Sequence, residues 1–480
     1  MADVTPFWLS GVPATGVDAL DVVNPHDGAV VGVVSVPTPE QVAAAVTALE
    51  ASRDEAERLT IAARADALSH ISARLTERAE EIARVITAEN GKPIKWARVE
   101  VTRAASVFRW AAEEVRRWNG EMQRLDTEAT SAGRLALIRR FPKGPVLGIA
   151  PFNFPLNLVA HKVAPAIAVG APILVKPAPA TPLSALVLGE LLAETDLPPG
   201  MWSVLPVPND RMPALVADPR LPVISFTGSA PVGYAIEASV PSKHVVLELG
   251  GNAAAVVLAD YDSDADIDWA ASRIAAFANY QAGQSCISVQ RVLVDASVYD
   301  RLVERVVEKV GEQVTGDPFD DATDVGPLVD EAAAIRVQEW VAEAVAEGGR
   351  LLAGGGRDGA HVDPVVLVDV PPHSKVATEE VFGPVLGIAK VHGVDDAIAT
   401  VNASRFGLQA GVFTHDLQTA FRMHRDLHVG GVVVGDVPSF RADQMPYGGI
   451  KESGVGREGV RFAMEDFTYE RVMVFTGLDL

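Results

Sequence analysis

The chain has 480 residues, 41 of them Lys or Arg and 63 Asp or Glu, a net charge of -22 and a single cysteine. With 48% apolar and 22% charged residues, its composition excludes disorder as the dominant state and supplies apolar material for two large domains or about three ordinary ones. The acid excess, with Lys/Arg runs no longer than pairs, argues against a nucleic-acid partner, and a lone thiol excludes an intrachain disulfide or a cysteine-based metal centre.

The opening MADVTPFWLSG has no basic start followed by an apolar stretch, so no signal peptide is expected and a reducing cytoplasm is the expected location. Asn24–Thr38 reads as a short strand framed by turn residues, and Glu40–Ala51 as an alanine-rich helix. Ile61, Leu68, Ile71, Leu75, Ile82 and Val85 recur at spacings of three, four and seven, which predicts one long helix closed by Asn90-Gly91, with Pro93 just beyond. Trp96–Trp118 is a further helix.

From Pro145 the texture changes. Short apolar runs (PVLGIAP, PILVKP, WSVLPV, PVISFTGS, HVVLELGG) alternate with helical stretches at Leu156–Val169, Leu183–Thr195, Met212–Ala217 and Val232–Ser239. Unbroken apolar strands separated by helices predict a parallel sheet covered on both faces, with ligands at the carboxyl ends of its strands. Val163–Val175 is the most membrane-like stretch, but it is too short to span, holds Pro165 and Pro172, and is bracketed by Lys162 and Lys176. A second alternating set runs from AAAVVL at Ala253 through VQRVLV and PVLGIAKV to VVVG, with Gly250-Gly251 as the hinge between the two units. Tyr469–Phe475 is a final β-type run.

Five features carry candidate chemistry. Cys286, in GQSC, lies in a polar, flexible helix-to-strand connection; a lone cysteine is otherwise commonly a small buried hydrophobe. Glu248 ends an apolar strand, where a carboxylate is costly to ionise and suits a general base, unless the fold brings it a cation. Asn153, in PFNFPL, is either a turn or cap residue or an amide aimed at an oxyanion. Lys176, at the end of PILVKP, is placed to reach a ribose or phosphate, or is a solvated strand end. Gly228 and Ser229 open a helix after an apolar strand, an arrangement suited to a pyrophosphate. No GxGxxG follows any of these strands, so the residues alone support a nucleotide-compatible fold and no more.

Taken together, PFNFPL, KPAPATPLSA, FTGS, LELGGN, GQSC, EEVFGP and PYGGIKESGVGREG, in that order, resemble the aldehyde dehydrogenase superfamily nearly end to end. The resemblance implies an α/β fold with two doubly wound parallel-sheet domains and a small β extension for oligomerisation. The implied boundaries are 1–122 and 143–249 for cofactor binding, 250–436 for catalysis, and 123–142 with 462–480 for strands that build a homodimer or homotetramer. It implies Cys286 as nucleophile, Glu248 as general base and Asn153 as oxyanion amide. Lys176 and Glu380 would hold the two riboses of NAD or NADP, Ser229 the pyrophosphate, and the Leu249 backbone the nicotinamide amide. Phe382 would pack near the nicotinamide, with Ala150, Phe152 and Gly228 completing the cofactor's surroundings. No metal is implied.

The pattern also departs from the family. Where many NAD-preferring relatives carry a Glu three residues after the lysine, this chain has Pro179, which removes a bar to NADP without creating a phosphate site. The Glu at 248 favours release of a free acid over a CoA-acylating reaction, and the intact triad argues against a non-catalytic relative. Relatives for apolar aldehydes line the entry tunnel with aromatics; His161, Arg441 and Arg103 fall at tunnel positions here and imply a small hydroxylated or anionic aldehyde. The texture resembles lactaldehyde, phosphonoacetaldehyde and non-phosphorylating glyceraldehyde-3-phosphate dehydrogenases. Ser285, where some relatives with anionic substrates have Arg, weakens the phosphonoacetaldehyde option. A broad-specificity or apolar-aldehyde enzyme is the alternative.

Overall fold

The computed structural model describes residues 4–479. Its first sheet runs, in spatial order, Gly454–Val455, His244–Glu248, Val223–Thr227, Val146–Ile149, Ile173–Lys176, Trp202–Val204, Phe7–Leu9 and Val12–Ala14. The five strands from His244–Glu248 to Trp202–Val204 are parallel, and the antiparallel outer strands finish the edges. Val, Ile and Leu fill the parallel strands on both faces, since helices cover each side. Strand order reverses beside Val146–Ile149, so the crevice that binds ligands in such sheets opens there. The register aligns Ile149 with Lys176 and with Phe226, and Thr227 with Glu248. Lys176, Glu248 and the loop that carries Asn153 therefore share one edge.

The second sheet is Arg350–Ala353, Val365–Val368, Val385–Val391, Arg291–Asp295, Ala254–Val257, Gln409–Phe413 and Gly431–Val434, parallel except for its first strand. The third is antiparallel: Thr468–Phe475 pairs with Leu135–Pro142, which pairs with Glu121–Arg124.

Several elements differ from the sequence expectation. The long helix is two, Ile61–Glu77 and Ala79–Asn90, broken at Arg78, whose guanidinium turns to Glu81 and Glu190. The sevenfold step from Leu75 to Ile82 keeps the apolar face in line across the break, so periodicity did not reveal it. Gly91 does close the second helix, in the left-handed conformation. The strands Val365–Val368 and Gln409–Phe413 and the helix Leu417–Asp426 were not anticipated. Gly250 and Gly251 do join the two sheets, but not as a loose hinge. A Cβ on Gly250 would lie 2.3 Å from Glu380 Oε2, and one on Gly251 the same distance from the Cys286 carbonyl oxygen. The third sheet begins at Thr468 rather than 462, because the helix Val460–Asp466 packs on the helices of the first unit. Among the described residues, no helix is long and apolar enough to cross a membrane; the suspect stretch is the second half of the buried helix Asn157–Val169 and most of the strand Ile173–Lys176.

Candidate active site

A cavity of about 1150 Å³ runs along the carboxyl edge of the first sheet to the second unit. Asn153, Lys176, Gly228, Ser229, Glu248, Leu249, Cys286, Glu380, Phe382, Ala150, Phe152, Arg103 and Arg441 all line it. Of the residues singled out from sequence, only His161 does not; it is buried one layer behind Arg441.

Cys286 follows a backbone run in which Gln281, Ala282 and Gly283 all have positive φ. For Gln281 and Ala282 that conformation is strained, and strain of this kind collects at functional sites. Gly283 admits no side chain, since a Cβ there would lie 2.0 Å from the Gly383 oxygen. The half-buried Cys286 sulfur lies 2.9 Å from the Tyr447 hydroxyl. Burial pushes the thiol up to about 12, against the opposing bond from Tyr447. Asn153 Nδ2 donates to the Gln284 carbonyl at 2.9 Å, which uses one of its two N–H groups.

Glu248 is 3% exposed, and neither carboxylate oxygen has a hydrogen-bond partner. Gly448, of PYGG, leaves the room that its carboxylate fills: a Cβ there would lie 2.9 Å from Oε1. Burial first, and then the neighbouring Glu458, hold the Glu248 carboxyl well above its ordinary value, against Arg441, Lys162 and Arg457. Glu458 is the reverse case. Burial would raise it, but Lys162 and Arg441 outweigh burial and hold it at about 2. Two buried carboxyls thus share one environment with their titrations pushed in opposite directions, an arrangement that suits a poised base beside a fixed anion.

The cavity also tests the fit of a dinucleotide. Burial brings Lys176 down to about 8, and its ammonium donates to Asn209 Oδ1 at 2.6 Å. Lys176, Pro179, Ala180 and Asn209 contribute a cation and no carboxylate to that end of the wall. Val216, Val232 and Ile236 give an apolar slot for a base. Ser229 caps the helix Ala230–Ser239 without a side-chain bond to it, which leaves first-turn N–H groups for phosphate oxygens. Gly228 is required by the Phe226 ring, 2.6 Å from where its Cβ would stand, rather than by a ligand alone. At the other end Glu380, raised to about 7 by burial, accepts the Gly251 N–H at 3.0 Å. Phe382, itself at positive φ, packs edge-on to Phe152. Size, polarity and donors fit NAD(P).

The tunnel cations are already paired. Arg441 Nη2 lies 3.0 Å from Glu458, and its guanidinium sits 3.8 Å from the centre of the Tyr447 ring. Arg103 Nη2 donates to Asp443 Oδ1 at 2.9 Å, and His161 meets the same oxygen at 3.4 Å. Burial and Arg441 lower the His161 imidazole, so it is neutral at pH 7. Asp443, Glu458 and Tyr447 were missed from sequence. Tyr447 and Glu458 stand inside the PYGGIKESGVGREG motif, and their signal was their presence there.

The aldehyde dehydrogenase family model matches residues 12–473, and the chain belongs to that family. It is 40% identical over 471 residues to 3-sulfolactaldehyde dehydrogenase of Priestia aryabhattai, covering 98% of this chain and 97% of that protein. It is 36% identical to lactaldehyde dehydrogenase of Methanocaldococcus jannaschii, covering 95% and 97%. The crystal structure of aldehyde dehydrogenase 21 from Physcomitrella patens with the reaction product succinate superposes with a TM-score of 0.97 at 42% identity, covering 100% of this chain and 99% of that one.

Proposed function

We propose that this chain oxidises a short aldehyde with an anionic tail, hydroxylated or not, to the carboxylic acid with NAD or NADP. The observation that carries the reading is the charge around the cavity. Arg103 and Arg441 both line it, each held by a single carboxylate, Asp443 and Glu458. The Nε atoms of both arginines are buried without a partner. An apolar tail would leave these groups unpaired, whereas an oxyanion supplies charge-assisted bonds of roughly 1.5–3 kcal/mol each. The names of the relatives, with sulfonated, hydroxylated and dicarboxylic compounds among them, point the same way.

The chemistry then follows from the chain's own residues. With the thiol proton lost to solvent water, Cys286 Sγ bonds to the aldehyde carbon and the carbonyl pair moves onto oxygen. The free N–H of Asn153 and the backbone N–H of Cys286 stabilise that oxygen, each worth roughly 2.7–4 kcal/mol. Lys176, Ser229, Leu249, Glu380 and Phe382 would hold NAD or NADP, whose nicotinamide would accept the hydride from the carbon bonded to Cys286, so that the acyl group would remain on the sulfur as a thioester. Glu248 takes a proton from water as the water oxygen bonds to the thioester carbon, and the sulfur departs with the electron pair. Oligomerisation belongs to the same reading: Val472, Met473 and Val474 lie exposed on an edge strand, which suits a homodimer or homotetramer. So does a cytoplasmic location.

The test is a panel of apolar, hydroxylated, carboxylated, phosphorylated and sulfonated aldehydes with each cofactor. Short anionic aldehydes should give the highest kcat/KM. Hexanal or benzaldehyde outperforming all of them overturns the reading.

A further inference from the structure

We propose that Lys92 and Glu100 are positioning residues for Asn153: their buried ion pair fixes the backbone of the 152–157 turn, and with it the carboxamide N–H offered to the reaction's oxyanion. The proposal rests on the reading of Asn153 as oxyanion donor.

The turn joins the strand Val146–Ile149 to the helix Asn157–Val169 and has no regular structure of its own. Its backbone groups are taken up by one short stretch of the N-terminal helices. Asn90 Nδ2 donates to the Phe152 carbonyl at 2.7 Å. Lys92 Nζ donates to the Asn153 carbonyl at 2.9 Å. Glu100 Oε1 accepts the N–H groups of both Leu156 and Asn157, at 3.0 and 3.1 Å. The other Glu100 oxygen pairs with Lys92, so one ion pair holds the turn at both ends. Both side chains are fully buried, and the Lys92 ammonium lies 4.2 Å from the centre of the Phe154 ring.

The support itself is rigid. Gly91 separates Asn90 from Lys92 at positive φ, and a Cβ there would lie 2.5 Å from Pro327 and 2.8 Å from Pro25. The turn is therefore clamped between the helices behind it and the Gln284 carbonyl in front, two residues before the nucleophile.

A buried ion pair is weak evidence for a stability role, because apolar replacements of the same volume often do as well. What apolar groups cannot do is hold two N–H groups and a carbonyl of one turn in fixed directions. Oxyanion stabilisation depends on donors fixed where charge develops, and small misplacements cost large factors in rate.

The experiment is a double-mutant cycle on the full chain: wild type, Lys92→Met, Asn153→Ala and the double variant. The readouts are first-turnover NAD(P)H formation at saturating cofactor and cofactor affinity by fluorescence titration. Asn153→Ala should slow the first turnover by more than about tenfold, and Lys92→Met by about tenfold. The double variant should lie within about twofold of Asn153→Ala, with cofactor affinity unchanged throughout. An unchanged first turnover in Lys92→Met overturns the positioning role. So does a full further loss in the double variant, which leaves Asn153 as the donor. An unchanged first turnover in Asn153→Ala instead overturns the reading on which the proposal rests. Should Lys92→Met fail to fold, Glu100→Gln, which keeps an oxygen toward the turn, goes through the same cycle with the same outcomes.

Discussion

The Tyr447 hydroxyl lies 2.9 Å from the Cys286 sulfur, and the face of the same ring carries the Arg441 guanidinium. Cys286 thus meets Arg441 through one aromatic side chain. The hydrogen bond lowers the thiol, while burial raises it to about 12. Tyr447→Phe keeps the ring under Arg441 and removes only the bond. The thiol should then titrate higher, so less thiolate is present at any given pH. Alkylation of Cys286 by iodoacetamide should slow about two- to tenfold at pH 8, with its pH profile displaced to the alkaline side. An unmoved profile would mean that the phenol does not stabilise the thiolate.

In the proposed mechanism Glu248 sets the pH dependence of the hydrolytic half-reaction. Burial and the Glu458 charge hold its carboxyl well above the ordinary range. A raised carboxyl is neutral where an exposed one is already ionised, so the base form accumulates only as pH rises. The thioester hydrolysis rate should therefore climb with pH, with a midpoint above that of an ordinary glutamate. In Glu248→Gln that limb should flatten and hydrolysis slow by roughly 10²–10⁴-fold, while a first burst of NAD(P)H persists. Quenched-flow measurement of burst and steady state across pH separates the two. Steady-state turnover equal to wild type would remove Glu248 as the base.

The parallel strands of the first sheet were legible because burial on both faces makes them unbroken apolar runs, as in Val223–Thr227 and His244–Glu248. Glu248 stood out for the same reason, as a carboxylate that ends such a run. The break at Arg78 was hidden because the apolar face continues across it. Asp443 and Glu458 were hidden because a lone acid in a loop looks solvated until the fold seats Arg103 and Arg441 on it. His161 was placed in the tunnel from its position in PFNFPLNLVAHKVAP. It lies instead on a fully buried helix, with Asp443 and Arg441 as neighbours. Pairing between distant segments does not show in a local pattern.

That pairing decides which arginine gives the clean test of substrate charge. Arg441 is buried against Glu458, and deleting one partner of a buried pair costs about 3–5 kcal/mol. Arg441→Leu should therefore lower the melting temperature as well as the activity, which confounds the two. Arg103 is 25% exposed along its side chain, lines the cavity, and leaves Asp443 with His161 when removed. Arg103→Leu should fold and lower the melting temperature less than Arg441→Leu, because Arg103 is the more exposed of the two. Its kcat/KM for short anionic aldehydes should fall about tenfold or more, the loss of roughly one charge-assisted bond at about 1.4 kcal/mol per decade. For propanal, which brings no charge to that end of the tunnel, kcat/KM should stay within about twofold. Parallel kinetics on the two substrate types make the comparison. An equal fall for propanal would show that Arg103 shapes the tunnel rather than reading the charge of the tail.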